Sequence, residues 1–232
     1  MAEAAPRFDG SAAYERCMGR WSRAVAPVFL DWLGAARRAS WLDVGCGTGI
    51  LAETLVELCA PASVHGVDPA AAQVSAAARG PARNRAQFQV ADARKLPFAD
   101  ASFDVVASAL VINFIAERPR ALAEMRRLGA DVPGIPGTEA SRLEALRALF
   151  LEAGLEQIET RTVDVCLAYA DFTDFWESQT PDYQPTTKII AQMKPSERTR
   201  LMHAVQAALP AGPNGSIEYC ARANAIKARV PR

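Results

Sequence analysis

The chain has 232 residues, half of them hydrophobic, which suits one domain with a sizeable core and excludes a disordered segment. Lys and Arg number 26, as do Asp and Glu, so the formal charge is zero and the basic excess of a dedicated nucleic-acid binder is missing. No apolar run reaches the length of about 18 residues that a membrane span needs. The opening MAEAAPRFDG carries no hydrophobic stretch of a secretory leader, so a cytoplasmic protein is expected, with no membrane and no nucleic acid as partner. The five cysteines (Cys17, Cys46, Cys59, Cys166 and Cys220) are odd in number and scattered without a C-x-x-C pair. His65 and His203 stand alone, so neither a metal site nor a disulfide framework is expected.

Residues 11–34, SAAYERCMGRWSRAVAPVFLDWLG, place Tyr14, Met18 and Trp21, then Val25, Phe29 and Trp32, at helical spacing. One or two helices therefore precede the first strand. They either cap the sheet or form a lid over a ligand pocket with Tyr14 facing in.

Ser40–Gly45 reads as the first strand, and a helix follows from Thr48 to about Cys59. Between them lies Trp41-Leu42-Asp43-Val44-Gly45-Cys46-Gly47-Thr48-Gly49-Ile50. Alternating glycines let a ligand approach the main chain, and the helix start offers free N–H groups. The spacing is G-x-G-x-G, not the G-x-G-x-x-G of dinucleotide sites. Asp43 at the strand tip repels pyrophosphate but accepts from an ammonium group or loop amides. Cys46 is a small residue that fits the loop rather than a nucleophile. This segment resembles motif I of the class I S-adenosylmethionine-dependent methyltransferases, of the small-molecule, type 11-like kind. The resemblance implies a three-layer Rossmann-like α/β fold, a mostly parallel sheet with an antiparallel last strand, S-adenosylmethionine as cofactor with S-adenosylhomocysteine as product, and a small-molecule acceptor.

Ser63–Asp68 is the second strand. Asp68 at its end can accept both hydroxyls of a ribose, a feature that adenosylmethionine and dinucleotide sites share. Pro69 suits the first turn of the next helix, about Ala71–Arg79. After the turn GPARNR, Ala86–Val90 alternates as a third strand. The following Asp92-Ala93-Arg94-Lys95-Leu96-Pro97-Phe98-Ala99-Asp100-Ala101-Ser102-Phe103-Asp104 is similar to the D-A-x-x-L-P-F-x-D-x-S-F-D signature of the same family. By that resemblance Asp92 accepts from the adenine amino group and Ala93 donates its backbone N–H, while Leu96, Pro97 and Phe98 serve packing.

Asp104–Ala109 reads as a buried strand, with Ser108 and Ala109 at the carboxyl end where open parallel sheets bind ligands. Asn113 either bonds an acceptor or caps the next helix, about Arg118–Leu128. The family's fifth, central strand then has no counterpart. Leu128–Gly137 holds two prolines and three glycines, which cannot make a central strand. The element has been lost, another strand fills its slot, or a segment is omitted between Arg126 and Gly134. Outright loss would leave strand edges unpaired, which favours the omitted segment.

A helix over Ser141–Ala153 ends at Gly154, and Leu155–Tyr169 is a long strand. Residues 171–209 form an aromatic helical insertion. Phe172, Phe175, Trp176 and Tyr183 pack it on the sheet or, for Trp176 in particular, line an acceptor pocket. Gly215–Ala228 is the reversed last strand. The whole, residues 1–232, is expected to be one methyltransferase domain. Candidate cofactor contacts are Tyr14, Asp43, Gly45, Cys46, Gly47, Gly49, Asp68, Pro69, Asp92, Ala93, Ser108 and Ala109, and candidate substrate contacts are Asn113 and Trp176. The expected reaction is in-line displacement of a sulfonium methyl group, with no residue assigned as base. Tyr14, Asp171 and His203 are possible proton acceptors without positional support. A non-catalytic adenosylmethionine sensor is the alternative.

Overall fold

The computed structural model describes residues 14–35, 37–111, 114, 117–128, 142–180 and 185–231. A π-helical turn, Glu15–Gly19, runs directly into α1, Arg20–Leu33. There follow β1 (Ser40–Val44), α2 (Ile50–Leu58), β2 (Ser63–Asp68), α3 (Ala71–Ala77), β3 (Gln87–Val90), β4 (Val105–Ala107) and α4 (Arg118–Leu128). The second half contains α5 (Leu143–Glu152), β5 (Glu156–Tyr169), α6 (Phe172–Gln179), α7 (Pro185–Gln192), α8 (Pro195–Ala208) and β6 (Ile217–Arg229).

Four parallel strands make the first sheet, in the order β3-β2-β1-β4. β1 sits inside it, with Trp41 opposite Val64 on one side and Val105 on the other. Its apolar run is buried on both faces, as a strand covered by helices from two sides must be. Phe29 of α1, Leu55 of α2, Trp41 and Ala107 form the core of one face. Leu42, Val106 and the α5 residues Leu146 and Phe150 form the other. Each fully buried side chain of this size contributes roughly 1.5–3 kcal/mol, so these two layers hold the tips of β1, β2 and β4 in fixed relation.

β4 is shorter than the predicted Asp104–Ala109. Asp104 acts as a staple ahead of the strand, its carboxylate accepting from the Ser40 N–H (2.8 Å) and hydroxyl (2.7 Å). The 96–103 segment packs on the sheet: Leu96 and Phe103 are buried, and Arg127 of α4 donates to the carbonyls of Leu96 and Phe98.

The last strand is antiparallel, but to β5 alone. β5 and β6 form a sheet of their own, and among the described residues no hydrogen-bonded strand joins them to β4. The slot of the expected fifth strand is therefore not filled by β5 or β6, and residues 129–141, where that strand was sought, lie outside the described residues. The pair still packs against the first sheet. Val163, Val165, Ala223 and Ala225 join the α1–α2 core, while Ile226 and Ala228 join the α5 core.

One expectation is corrected. Cys166 and Cys220 form a disulfide. They are 54 residues apart in sequence but directly opposite in the β5–β6 register. Linear spacing carries no trace of a pairing made only when two distant strands align. Among the described residues no helix is long and apolar enough to cross a membrane.

Candidate cofactor site

The glycine loop leaves β1 and folds back on the tip of β2. The N–H groups of Gly45 and Cys46 both donate to the Val67 carbonyl (2.8 and 3.0 Å). Gly45 has φ +80°, and a Cβ there would lie 2.4 Å from a methyl group of Val111. Only glycine permits both that backbone and that approach. Gly47, with φ +53°, turns its open face to the Tyr14 ring, whose hydroxyl lies 3.5 Å from where a Cβ would stand. Gly49 closes the turn by donating to the Cys46 carbonyl (2.9 Å), and α2 begins at once.

Asp68 at the end of β2 is the loop's second anchor. Its carboxylate accepts from the N–H of Gly47 (3.1 Å) and of Ala70 (2.9 Å). Burial raises its pKa, and the two backbone bonds pull against that rise.

Asp43 is only 1% exposed, and its Oδ2 has no hydrogen-bond partner among the described residues. Burial, with the Asp68 charge adding to it, pushes this carboxyl up to about 8. The Ser108 hydroxyl, at the end of the adjacent strand, is likewise buried and unpartnered. Such groups are rare in folded proteins and cost free energy until a partner arrives.

The N-terminal helical segment packs on this loop. Glu15 accepts from the Thr48 hydroxyl of the glycine loop and from Arg23 (2.9 Å), which ties the start of the helix to the loop. Tyr14 is held over Gly47. Burial pushes its phenol up to about 12; its hydrogen bond with Ser22 opposes the rise, and the charges of Asp68, Glu15 and Asp43 add to it. Tyr14 therefore stays protonated at neutral pH as a donor. Between α1 and the loop lies a narrow recess of about 20 Å³, lined by Tyr14, Ser22, Asp43, Gly45, Cys46 and Ala109 among others. Burial, reinforced by the charges of Asp43 and Asp68, also keeps Cys46 a thiol.

Other expected contacts stand apart from this recess. Asp92 is half exposed and engaged by Arg94, whose backbone N–H (2.9 Å), Nε and Nη2 (2.6 Å) all donate to it, while Arg94 Nη1 reaches Glu117 (2.7 Å). That bonding holds the Asp92 carboxyl below the usual range. Ala93 packs against the α5 core, and Pro69 is exposed. Trp176 is buried in an aromatic group with Phe172 (6.0 Å between rings) rather than along the recess. Asp171 caps α6, accepting from the Asp174 N–H (2.9 Å), and His203 lies exposed on α8, so neither faces the recess as a base. Asn113 and Tyr183 lie outside the described residues. Sequence reasoning missed Ser22, Thr48 and Leu110 as lining. Leu110 adopts φ +60° at the end of β4, a conformation with no signal in a leucine.

Residues 42–130 match the family described as a methyltransferase domain. The malonyl-[acyl-carrier protein] O-methyltransferase of Halorhodospira halophila is 33% identical over 154 residues, which cover 63% of this chain and 52% of that protein. The demethylmenaquinone methyltransferase of Thermus thermophilus is 35% identical over 133 residues, 54% of this chain and 57% of that one. A solved structure of a Haemonchus contortus phosphoethanolamine N-methyltransferase, in complex with phosphomonomethylethanolamine and S-adenosylhomocysteine, shares the fold with a TM-score of 0.63. It is 19% identical, and the match covers 97% of this chain and 58% of that one. The chain spans about half the length of these curated relatives. The matched residues take in the glycine loop, Asp68 and Asp92; α1 and the β5–β6 sheet lie outside them.

Proposed function

We propose that the chain binds S-adenosylmethionine in the recess between lid and glycine loop and transfers its methyl group to a small-molecule acceptor, releasing S-adenosylhomocysteine. One observation carries the reading: the buried Asp43 oxygen without a partner among the described residues, set in the wall of the recess at the carboxyl edge of a parallel sheet. An α-ammonium group supplies the charge and hydrogen bond that this oxygen lacks, which a pyrophosphate does not. Asp68 keeps lone pairs beyond its two backbone bonds and can accept ribose hydroxyls. Asp92 can take the adenine amino group once Arg94 swings off it.

When bound, the cofactor brings an electrophilic sulfonium methyl group. The chain's own residues bind, orient and shield: Tyr14 donates from above Gly47, and the lid excludes water. Among the described residues lining the recess none is assigned as a general base, and the proposed chemistry rests on positioning of the two reactants. The three relatives are named for chemically unlike acceptors, so the reading stops at a small-molecule acceptor. Calorimetric titration with S-adenosylhomocysteine tests the binding, and transfer of labelled methyl across an acceptor panel tests the chemistry. Saturable binding with no response to NAD is expected, and absence of S-adenosylhomocysteine binding overturns the proposal.

A further inference from the structure

We infer that Cys166 and Cys220 are a surface thiol–disulfide site that sets how firmly the lid helix α1 is seated. The two cysteines face each other across β5 and β6 and are both exposed, whereas Cys17 and Cys46 are buried. An exposed disulfide is open to attack by a small thiol, and exposure marks the labile, regulatory class of such bonds.

The site stands back to back with the support of the lid. Side chains alternate across a strand, so the neighbours of each cysteine point to the opposite face. There Val165 and Val163 bury against α1. Tyr219, next to Cys220, packs edge-on against Trp21 of α1 at 6.3 Å and against Phe175 at 5.5 Å. Two residues further along the ladder, Arg20 of α1 lies 4.7 Å over the Tyr169 ring and pairs with Asp174 at 2.7 Å. The covalent link fixes the spacing of the two strands on which these contacts rest. Without it the ladder hydrogen bonds and the apolar inner face hold the platform.

The chemistry balances with a low-molecular-weight thiol as reductant. Two such thiols give up two electrons and two protons; the Cys166–Cys220 bond breaks, each cysteine gains a hydrogen, and one small disulfide forms. An oxidised small disulfide runs the step backwards. The Glu218 carboxylate lies within 4.8 Å of both sulfurs, while the nearby Arg222 is committed to Asp164 at 2.6 Å. A negative charge there repels thiolates and tips the balance toward the disulfide.

The lid role rests on the proposed cofactor site, but the experiment needs no cofactor, so its failure leaves that site standing. The full chain is equilibrated in glutathione buffers of graded redox ratio. Free thiols are trapped by alkylation and mapped, and amide hydrogen exchange is followed on the same samples. A two-electron titration confined to Cys166 and Cys220 is expected. On reduction, exchange should rise on the order of tenfold in α1 while α2 is unchanged. E218K should shift half-reduction toward less reducing buffer. A C166S/C220S variant should show the fast α1 exchange under all conditions; if it does not fold, chemical reduction of the unaltered chain makes the same comparison. A pair that never oxidises, or one that does so without changing α1 exchange, overturns the inference.

Discussion

The two sheets treat polar groups in opposite ways. At the tips of β1 and β4, Asp43 and Ser108 are buried and unpartnered. On β5–β6 charges lie at the surface, some of them in pairs, Arg222 with Asp164 and Lys227 with Glu159 at 3.3 Å. Surface pairs of this kind contribute little to stability, so the second sheet is held by its ladder, its apolar inner face and its disulfide. A buried carboxylate without a partner is costly, and it persists where a ligand completes it. The contrast teaches where to look for chemistry: in the sheet that tolerates a deficit rather than in the one that has none.

The largest expected effect tests whether the second half is scaffold. Trp176→Ala removes a buried indole and should cost about 3 kcal/mol of stability, lowering Tm by about 6–12 °C. S-adenosylhomocysteine affinity should stay unchanged. A loss of affinity beyond the loss of fold would extend the recess to α6 and break the comparison.

Asp43→Asn keeps the shape and deletes the charge. Affinity for S-adenosylhomocysteine should fall by about 2 kcal/mol, roughly 30-fold, the worth of a charge-assisted hydrogen bond. The same residue governs pH dependence. Its native pKa is raised to about 8, against about 4 unfolded. Between those values the native state holds a proton that the unfolded state has lost. Stability therefore falls as pH rises from about 4 to 8 and is flat above, and Asp43→Asn should remove that slope in a denaturation series. An ammonium group bound there favours the carboxylate, so S-adenosylhomocysteine binding at pH 7 should release protons, measurable by calorimetry in two buffers of different ionisation heat.

Arg20→Met cuts the tie between α1 and α6. Both partners are about a third exposed, so the stability cost should be near 1 kcal/mol. Faster dissociation of S-adenosylhomocysteine by a few-fold is expected in stopped flow. Unchanged dissociation would mean that the Glu15–Thr48 contact alone seats the lid. The smallest effect belongs to Arg94→Met, which frees Asp92 and should raise S-adenosylhomocysteine affinity about twofold. A drop instead would show Arg94 itself contacting the ligand.

Local chemistry made much of this legible. The strand Ser63–Asp68 and the helix Arg118–Leu128 were read to the residue, because turn residues and apolar period mark both ends. The glycine loop, Asp43 and Asp68 were read with their places at the strand ends, since each sits at a fixed distance in sequence from one. Trp176 could be read only as aromatic and apolar, and such a side chain packs equally well on a neighbour or a ligand. Asp92 was read by resemblance, yet the Arg94 that engages it is itself held by Glu117, 25 residues beyond Asp92.

Sequence alone thus determined the α/β class, the order of the parallel strands' loops and the acidic tips that define the recess, because those features depend on neighbours within a turn or a strand. Tertiary structure decided the rest: that β5 and β6 stand as a separate sheet, that Cys166 meets Cys220, and that Tyr14 is pressed onto Gly47 with Asp43 left unpartnered beneath. Each of these arises from contacts between segments far apart in the chain, where register and burial are settled only when the layers pack.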